Sequence, residues 1–240
     1  QINPDTKIAV PTYAESLALE HSMDIRNILR THGRGVIDPI TGMEIEDKIG
    51  LSILPGKGKM SNWGVNEGRG GLVAVGLQGG LTGRRADLLI VDDPYAGPEE
   101  ADSVTHRRKV WAWFQTVAST RLSPGASVVV IQTRWHPEDL IGTIMAQEEQ
   151  LPRKYRTWKY INIPAIAEVG IKDSLGREPG TPLESTRDDG DVKRDFPATR
   201  RKFGERFWYA MYQGSPTPLA GGIFAREWFD RGRVKAEALP

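Results

Sequence analysis

The chain has 240 residues, enough for one sizeable core with a smaller second unit. Its 32 basic and 31 acidic residues leave a formal charge of +1, so it is not a basic coat for nucleic acid, and any DNA contact must be local. The absence of cysteine excludes disulfides, thiolate metal ligands and a cysteine nucleophile. No apolar run approaches the ~20 residues that cross a bilayer, and no membrane partner is expected.

The first predicted elements are a strand over residues 7–10 and a helix that follows it. Thr12 and Glu15 have the spacing of a capping box, in which a hydroxyl and a carboxylate satisfy free backbone N–H groups. Apolar residues then recur at helical spacing on one face: Ala14, Leu17, Ala18, Ile25, Ile28 and Leu29. Residues 37–71, rich in Gly, Lys and Asp, are expected to form irregular structure and small strands.

Three short apolar runs, residues 72–77, 88–92 and 127–132, have the character of strands covered on both faces. A helix is predicted over residues 99–118, and another after Gln132. This alternation of strands and helices favours an α/β fold with a largely parallel sheet.

The character of the chain changes beyond Pro164. Residues 168–197 are polar, rich in Gly and Pro and mixed in charge, which indicates a long exposed excursion. A last helix is predicted over residues 199–212.

The strongest local signal is the apolar run 88–91 followed by Asp92 and Asp93. A buried strand that ends in two acids delivers carboxylates to the carboxyl edge of a sheet, where α/β proteins bind ligands. In a P-loop ATPase the first acid would hold Mg²⁺ and the second would orient the attacking water. The alternative is a strand that ends in an Asp-Asp-Pro turn, and this segment alone leaves both interpretations open.

Polar residues also end the next core strand. Gln132 or Thr133 at that position could hydrogen-bond a nucleotide and report its hydrolysis to the following segment. Arg134 and His136 fit a solvated strand end with a helix-capping role, and for His136 we favour that interpretation.

A glycine-dense loop before the acidic strand projects Arg84 and Arg85. Either could be an arginine finger that stabilises γ-phosphate charge in a neighbouring subunit. A turn with solvent-facing arginines fits each of them equally well.

These segments together resemble, in order, the signature of phage terminase large subunits, the motors that package DNA into viral capsids. The similar blocks cover nearly the whole chain: residues 80–94, 99–103, 110–114, 119–125, 133–142, 163–167, 207–216, 221–224 and 228–229.

The resemblance implies a partial RecA-like P-loop ATPase core with a mostly parallel sheet in residues 1–167. A loop-rich linker, residues 168–240, would lead towards an RNase H-like nuclease domain. By the same resemblance Asp92 is the Walker B magnesium ligand and Asp93 the catalytic carboxylate. Thr133 lies in the motif that couples hydrolysis to movement, and Arg84 is the chosen trans-acting arginine.

The implied cofactors are ATP and Mg²⁺. The implied partners are double-stranded DNA, the portal protein, the terminase small subunit and further copies in a homo-oligomeric ring, all in the host cytoplasm.

The family's phosphate-binding motif G-x-x-x-x-G-K-[ST] is not found in these residues. Its nearest imitation, residues 55–61, is interpreted as a basic loop, and the true loop is expected before position 1. The nuclease acids are expected beyond Phe229, since Asp188, Asp189 and Asp191 fit a solvated excursion better than a two-metal site. The isolated chain is therefore expected to be inactive.

Two other functions stay open at this point. The chain could be a non-catalytic assembly remnant of a split or truncated terminase, or it could be part of another P-loop nucleic-acid ATPase such as a helicase.

Overall fold

A computed structural model describes residues 3–77, 79, 81, 83–184 and 195–216. The chain divides into two compact units, Gln1–Gln132 and Thr133–Pro240. The expected division between residues 1–167 and 168–240 concerns the family's domains and stays a prediction. The acids at 188, 189 and 191 and the blocks 221–224 and 228–229 lie outside the described residues.

The first unit is built on a six-stranded sheet with the order β2-β3-β4-β1-β5-β6. Its strands are β1 (Lys7–Thr12), β2 (Ile53–Lys59), β3 (Asn62–Val65), β4 (Gly71–Gly76), β5 (Ala86–Asp92) and β6 (Leu122–Ile131). The ladder from β4 through β1 and β5 to β6 is parallel, whereas β2, β3 and β4 pair antiparallel. The α/β prediction is confirmed, with a mixed sheet that is mostly parallel.

The helices are divided between the two units. They are α1 (Glu15–His32), α2 (Pro98–Asp102) and α3 (Val104–Thr120) in the first unit, and α4 (Leu140–Gln150) and α5 (Phe196–Phe207) in the second. A 3₁₀ turn, Arg153–Tyr155, follows α4, and a π-helical turn, Trp208–Tyr212, continues α5.

The prediction of one helix over residues 99–118 is wrong, because the segment forms two helices that meet at Ser103. Its backbone is extended there, and its hydroxyl accepts a hydrogen bond from the His106 backbone N–H. A serine in that conformation caps the helix that follows it and cannot continue the helix that precedes it. Val104, the first residue of the second of these helices, is 51% exposed.

The buried face of α1 also differs from the predicted one. Ser22 and Arg26 face inward beside Ala18, whereas Ile25 and Ile28 are exposed. The Trp63 indole N–H from β3 donates to the Ser22 hydroxyl at 2.9 Å, so a polar contact fixes the rotation of this helix. The predicted capping box is absent, since Thr12 is the buried last residue of β1 and its hydroxyl donates to the Ala14 carbonyl.

An aromatic cluster forms the core of the second unit. Phe196 and Trp208 pack with Ala165 in the interior, and the Trp208 and Tyr212 rings stack with centroids 5.2 Å apart. Gln213, 4% exposed, bonds the backbone of Ile166 through both its amide oxygen and its amide nitrogen. The last predicted helix is present with an earlier start than expected, but it is kinked at Gly204, whose backbone is not helical (φ 79°).

The described part of the excursion, residues 168–184, holds a buried ion pair. The Asp173 carboxylate accepts from the Arg177 guanidinium at 2.7 Å and from the backbone N–H groups of Leu175 and Arg177. The Arg177 side chain also donates to the Pro164 carbonyl. This loop is therefore an ordered polar structure and not a solvated strand of chain.

Asp173→Asn should remove a pH-dependent part of the stability of the second unit. The bond from the Arg177 side chain, helped by the two backbone donors, lowers the pKa of Asp173 from 3.8 to about 2. A lowered folded pKa gives a contribution that is complete above the unfolded pKa and is lost as the pH falls towards about 2. Thermal melts from pH 7 to pH 2 should show a lower Tm for the variant at neutral pH and a weaker decline in acid.

The neighbouring exposed acid provides the control for this measurement. Glu178→Gln should leave the melting profile close to that of the unmodified chain. Parallel acid declines for Asp173→Asn and the unmodified chain would contradict the assignment.

Candidate active site

The carboxyl ends of β1, β5 and β6 meet at one edge of the sheet, because these neighbouring strands are parallel. Thr12, Asp92 and Ile131 stand in register across it. The ladder continues one residue further, since the Asp93 N–H donates to the Ile131 carbonyl at 2.9 Å. The Tyr13 N–H in turn donates to the Asp93 carbonyl at 3.0 Å. The backbone of Asp93 is thus fixed by both neighbouring strands.

Asp93 has a left-handed backbone, with φ at 41°, and is the one non-glycine residue with positive φ in the described ranges. That region is unfavourable for a residue with a Cβ and persists where surrounding contacts enforce it, often at functional sites. Here the enforcing contacts are the two backbone bonds and Pro94, whose side chain is fully buried. The Asp-Asp-Pro segment does form a turn, and the turn holds the two acids at the sheet edge.

The Asp92 side chain faces α1, where His21 meets it. The His21 Nε2 lies 2.9 Å from the Asp92 Oδ2, without the linear geometry of a hydrogen bond. Both side chains are partly accessible, 38% for the imidazole and 22% for the carboxylate. The sequence gives no signal for this contact, because it depends on β1 pairing with β5 and on the rotation of α1.

Gln132 follows β6 at the same edge, beside the acid pair. Both polar atoms of its amide are shielded from solvent and have no hydrogen-bond partner among the described residues. The structure thus brings together Asp92, Asp93 and Gln132. Thr133 begins the second unit, and its contact with a nucleotide stays a prediction.

Arg84 lies at the opposite end of β5. The strand runs from Ala86 to Asp92, and at about 3.3 Å per residue its ends are about 20 Å apart. Arg84 therefore does not join the acid pair of its own chain. A role in a neighbouring subunit does not require it to, and that role stays a prediction.

The residues after Thr133 form a compact helix cap in the second unit. Asp139, fully buried, accepts from the Gly142 N–H at the start of α4 and pairs with the Arg134 guanidinium at 2.9 Å. A side chain at Gly142 would overlap the Pro137 carbonyl. The sequence predicted a helix-capping role for Arg134 and His136, whereas Asp139 is the capping residue and its ion pair with Arg134 was not predicted. The available signal was an aspartate directly before the apolar pair Leu140 and Ile141.

Magnesium fits the donors at the acid pair. In the described ranges no group of three or more His, Cys, Asp or Glu side chains could hold a metal ion. Mg²⁺ commonly binds one or two protein carboxylates and completes its octahedral shell with water and phosphate oxygens. Asp92, at 22% exposure, offers such a carboxylate.

The described part of the chain contains no helix long and apolar enough to cross a membrane. The chain gives no significant match to curated proteins. The sequence model of one family, described as "Terminase large subunit, T4likevirus-type, N-terminal", matches residues 37–231, which is most of the chain. The matched range includes the acidic strand β5 and its Asp92–Asp93 turn. This chain belongs to the terminase large subunit family, which implies a role in the motor that packages viral DNA.

Proposed function

We propose that this chain supplies the magnesium-binding and water-activating acids of the ATP site of a DNA-packaging motor. The observation that carries the proposal is the Asp92–Asp93 pair at the carboxyl edge of a mostly parallel sheet, with Asp93 fixed by β1 and β6. Parallel sheets of α/β proteins bind ligands at this edge. The range that the family model matches contains both acids.

The two acids have separate roles. Asp92 would hold Mg²⁺, which neutralises charge on the β- and γ-phosphates when it is bound. Asp93 would orient the attacking water and accept its proton. An aspartate is one methylene shorter than the glutamate of many P-loop motors, so the water would lie close to the strand end. The fixed backbone keeps that shorter side chain in place.

Further parts of the proposal concern the assembled motor. Gln132 and Thr133 would sense the γ-phosphate and pass its loss to the Arg134–Asp139 cap. Arg84 would act on the site of a neighbouring subunit in a homo-oligomeric ring. The ring would work with double-stranded DNA, the portal protein and the terminase small subunit in the host cytoplasm.

The phosphate grip must come from outside these residues, since the chain contains no G-x-x-x-x-G-K-[ST] motif. We expect the 240-residue chain alone to show no Mg²⁺-dependent ATPase activity. Fused to a phosphate-loop segment of the same family, it should hydrolyse ATP. Asp93→Asn in the fusion should then lower kcat about 10²–10⁴-fold, the usual contribution of a general base. Asp92→Asn should abolish Mg²⁺-dependent ATP hydrolysis. Phosphate release measures all of these rates.

Asp24→Asn, which alters an exposed acid of α1, is the matched control and should leave kcat unchanged. Two results would contradict the proposal. One is turnover by the unfused chain that Asp92→Asn abolishes, and the other is full activity of the fused Asp93→Asn variant.

His21 would position the Asp92 carboxylate for the metal. His21→Ala should cost at most about 1 kcal/mol in the free energy of unfolding, because the contact is partly exposed. In the fusion it should raise the Mg²⁺ concentration for half-maximal activity about 10–100-fold, as loss of a partner behind a metal ligand does. Urea unfolding and magnesium titration of the ATPase measure the two effects.

Ser22→Ala provides the contrast, since this buried hydroxyl accepts the Trp63 indole bond. It should cost about 1–3 kcal/mol in stability and leave the magnesium requirement unchanged. A His21→Ala variant that unfolds easily but needs no more magnesium would show a structural role instead.

A further inference from the structure

The inner face of α1 buries a cation that the acid pair does not use. Arg26 is 7% exposed, and its Nε is shielded from solvent. Within the described ranges the guanidinium makes no hydrogen bond and no ion pair. A buried charge is costly unless a counter-charge and hydrogen bonds compensate it. The unmatched donors of Arg26 therefore point to an anion.

The space around Arg26 suits an anion. A cavity of about 550 Å³ lies between Arg26 and Arg30 of α1 and the segment of β2 from Ile53 to Lys59. None of the described residues that line it is acidic. The backbone of β2 comes close at Gly58, where an added Cβ would lie 3.2 Å from the Arg26 Nη2. Burial lowers the pKa of Arg26, and the positive charge of Arg30 lowers it further.

A larger basic groove adjoins this cavity, and both are lined by Gly56 and Lys59. The groove, about 790 Å³, lies at the amino ends of β1, β4 and β5. Its cations are Lys7, Lys59, Arg69, Arg84 and Arg85, of which Arg69 lies 3.8 Å from the Asp5 carboxylate. None of the described residues that line the groove is acidic. In the described part of the chain Lys59, Arg84 and Arg85 form no ion pair. Cavity and groove together make one basic surface around the edge strand β2, which we call the β2 basic surface.

We propose that the β2 basic surface binds the phosphodiester backbone of DNA, with Arg26, Arg30 and Lys59 holding one phosphate and the groove cations other than Arg84 holding its neighbours. A series of cations along a concave surface matches a polymer with regularly spaced negative charges. Among the described residues that line the groove, the only aromatic one is Trp63, which is 6% exposed and offers no platform for base stacking. Contacts would therefore go to the backbone without reading sequence.

This surface is separate from the acid pair, since β5 places its two ends about 20 Å apart. The inference rests on the proposed function only in naming DNA as the polymer. Free phosphate or a nucleotide shares the chemistry of one phosphoryl group, and the experiments distinguish these sources.

The first experiment tests phosphate binding at Arg26, with the full chain and inorganic phosphate. Phosphate near ten times its Kd should raise the Tm by about 3–6 °C relative to chloride at matched ionic strength. Arg26→Met should abolish that rise without lowering the Tm in chloride, because it removes an unmatched buried charge. Arg26→Lys should keep part of the rise, and the exposed control Arg108→Met should keep all of it. An equal rise for Arg26→Met, or a large loss of Tm for it in chloride, would overturn the assignment.

The second experiment tests the polymer by fluorescence anisotropy of a 30-base-pair duplex across a salt series. Lys59→Ala/Arg85→Ala should reduce the slope of log K against log salt by about 2, because about 0.9 is lost per phosphate contact. Arg108→Ala/Lys109→Ala removes the same charge from α3 and should leave the slope unchanged. An equal decrease of the slope in both double variants would show that only the net charge of the protein matters, and it would overturn the inference.

The remaining outcomes decide between ligands. Phosphate could raise the Tm while Lys59→Ala/Arg85→Ala leaves the slope of log K against log salt unchanged. That result would assign the site to free phosphate or a nucleotide and overturn the DNA inference. Competition by polyglutamate as strong as competition by DNA would indicate an acidic protein partner and also overturn it. Asp93→Asn should bind DNA normally, so a failed ATPase proposal and a failed DNA site give different results.

Discussion

The geometry of the candidate active site depends on hydrogen bonds that continue the parallel ladder past the ends of its strands. Asp93 belongs to no strand, yet its N–H bonds the last residue of β6 and its carbonyl receives the N–H after β1. Leu77, after β4, donates in the same way to Thr12. The four parallel strands are thus joined at their carboxyl ends by backbone hydrogen bonds, which together with the buried Pro94 fix the position of Asp93.

This arrangement accounts for the left-handed backbone of Asp93. Strained conformations persist only where several contacts determine them, and here both neighbouring strands and a buried proline do so. An unstrained turn would turn one of the two backbone groups away from its strand. The local conformational cost is therefore tied to the two backbone hydrogen bonds by which Asp93 joins both neighbouring strands.

The sequence predicted the structure correctly where a local pattern, such as a run of apolar residues, was enough to determine it. The apolar run before Asp92 predicted a buried strand, and the parallel topology then placed Asp92, Asp93 and Gln132 at one edge. The predictions from sequence were wrong where contacts between distant residues determined the structure. The rotation of α1 follows the bond between Ser22 and Trp63, residues 41 positions apart, and hydrophobic periodicity cannot register it. That one error hid His21, because the pairing of His21 with Asp92 requires the observed rotation.

The wrongly predicted rotation of α1 also hid Arg26, because this side chain faces the outermost strand of the sheet, β2. The antiparallel strands β2 and β3 extend the parallel sheet beyond β4, and they give the inner face of α1 a glycine-containing backbone to pack against. An apolar strand there would favour Ile25 or Ile28 inward, whereas a polar, glycine-bearing edge leaves room for a guanidinium. Acids at the carboxyl end of the sheet and cations at its amino end are then held apart by β5, whose Leu89 and Val91 are fully buried. The length of β5 therefore places the Asp92–Asp93 pair about 20 Å from Arg84 and Arg85, too far for a direct ion pair.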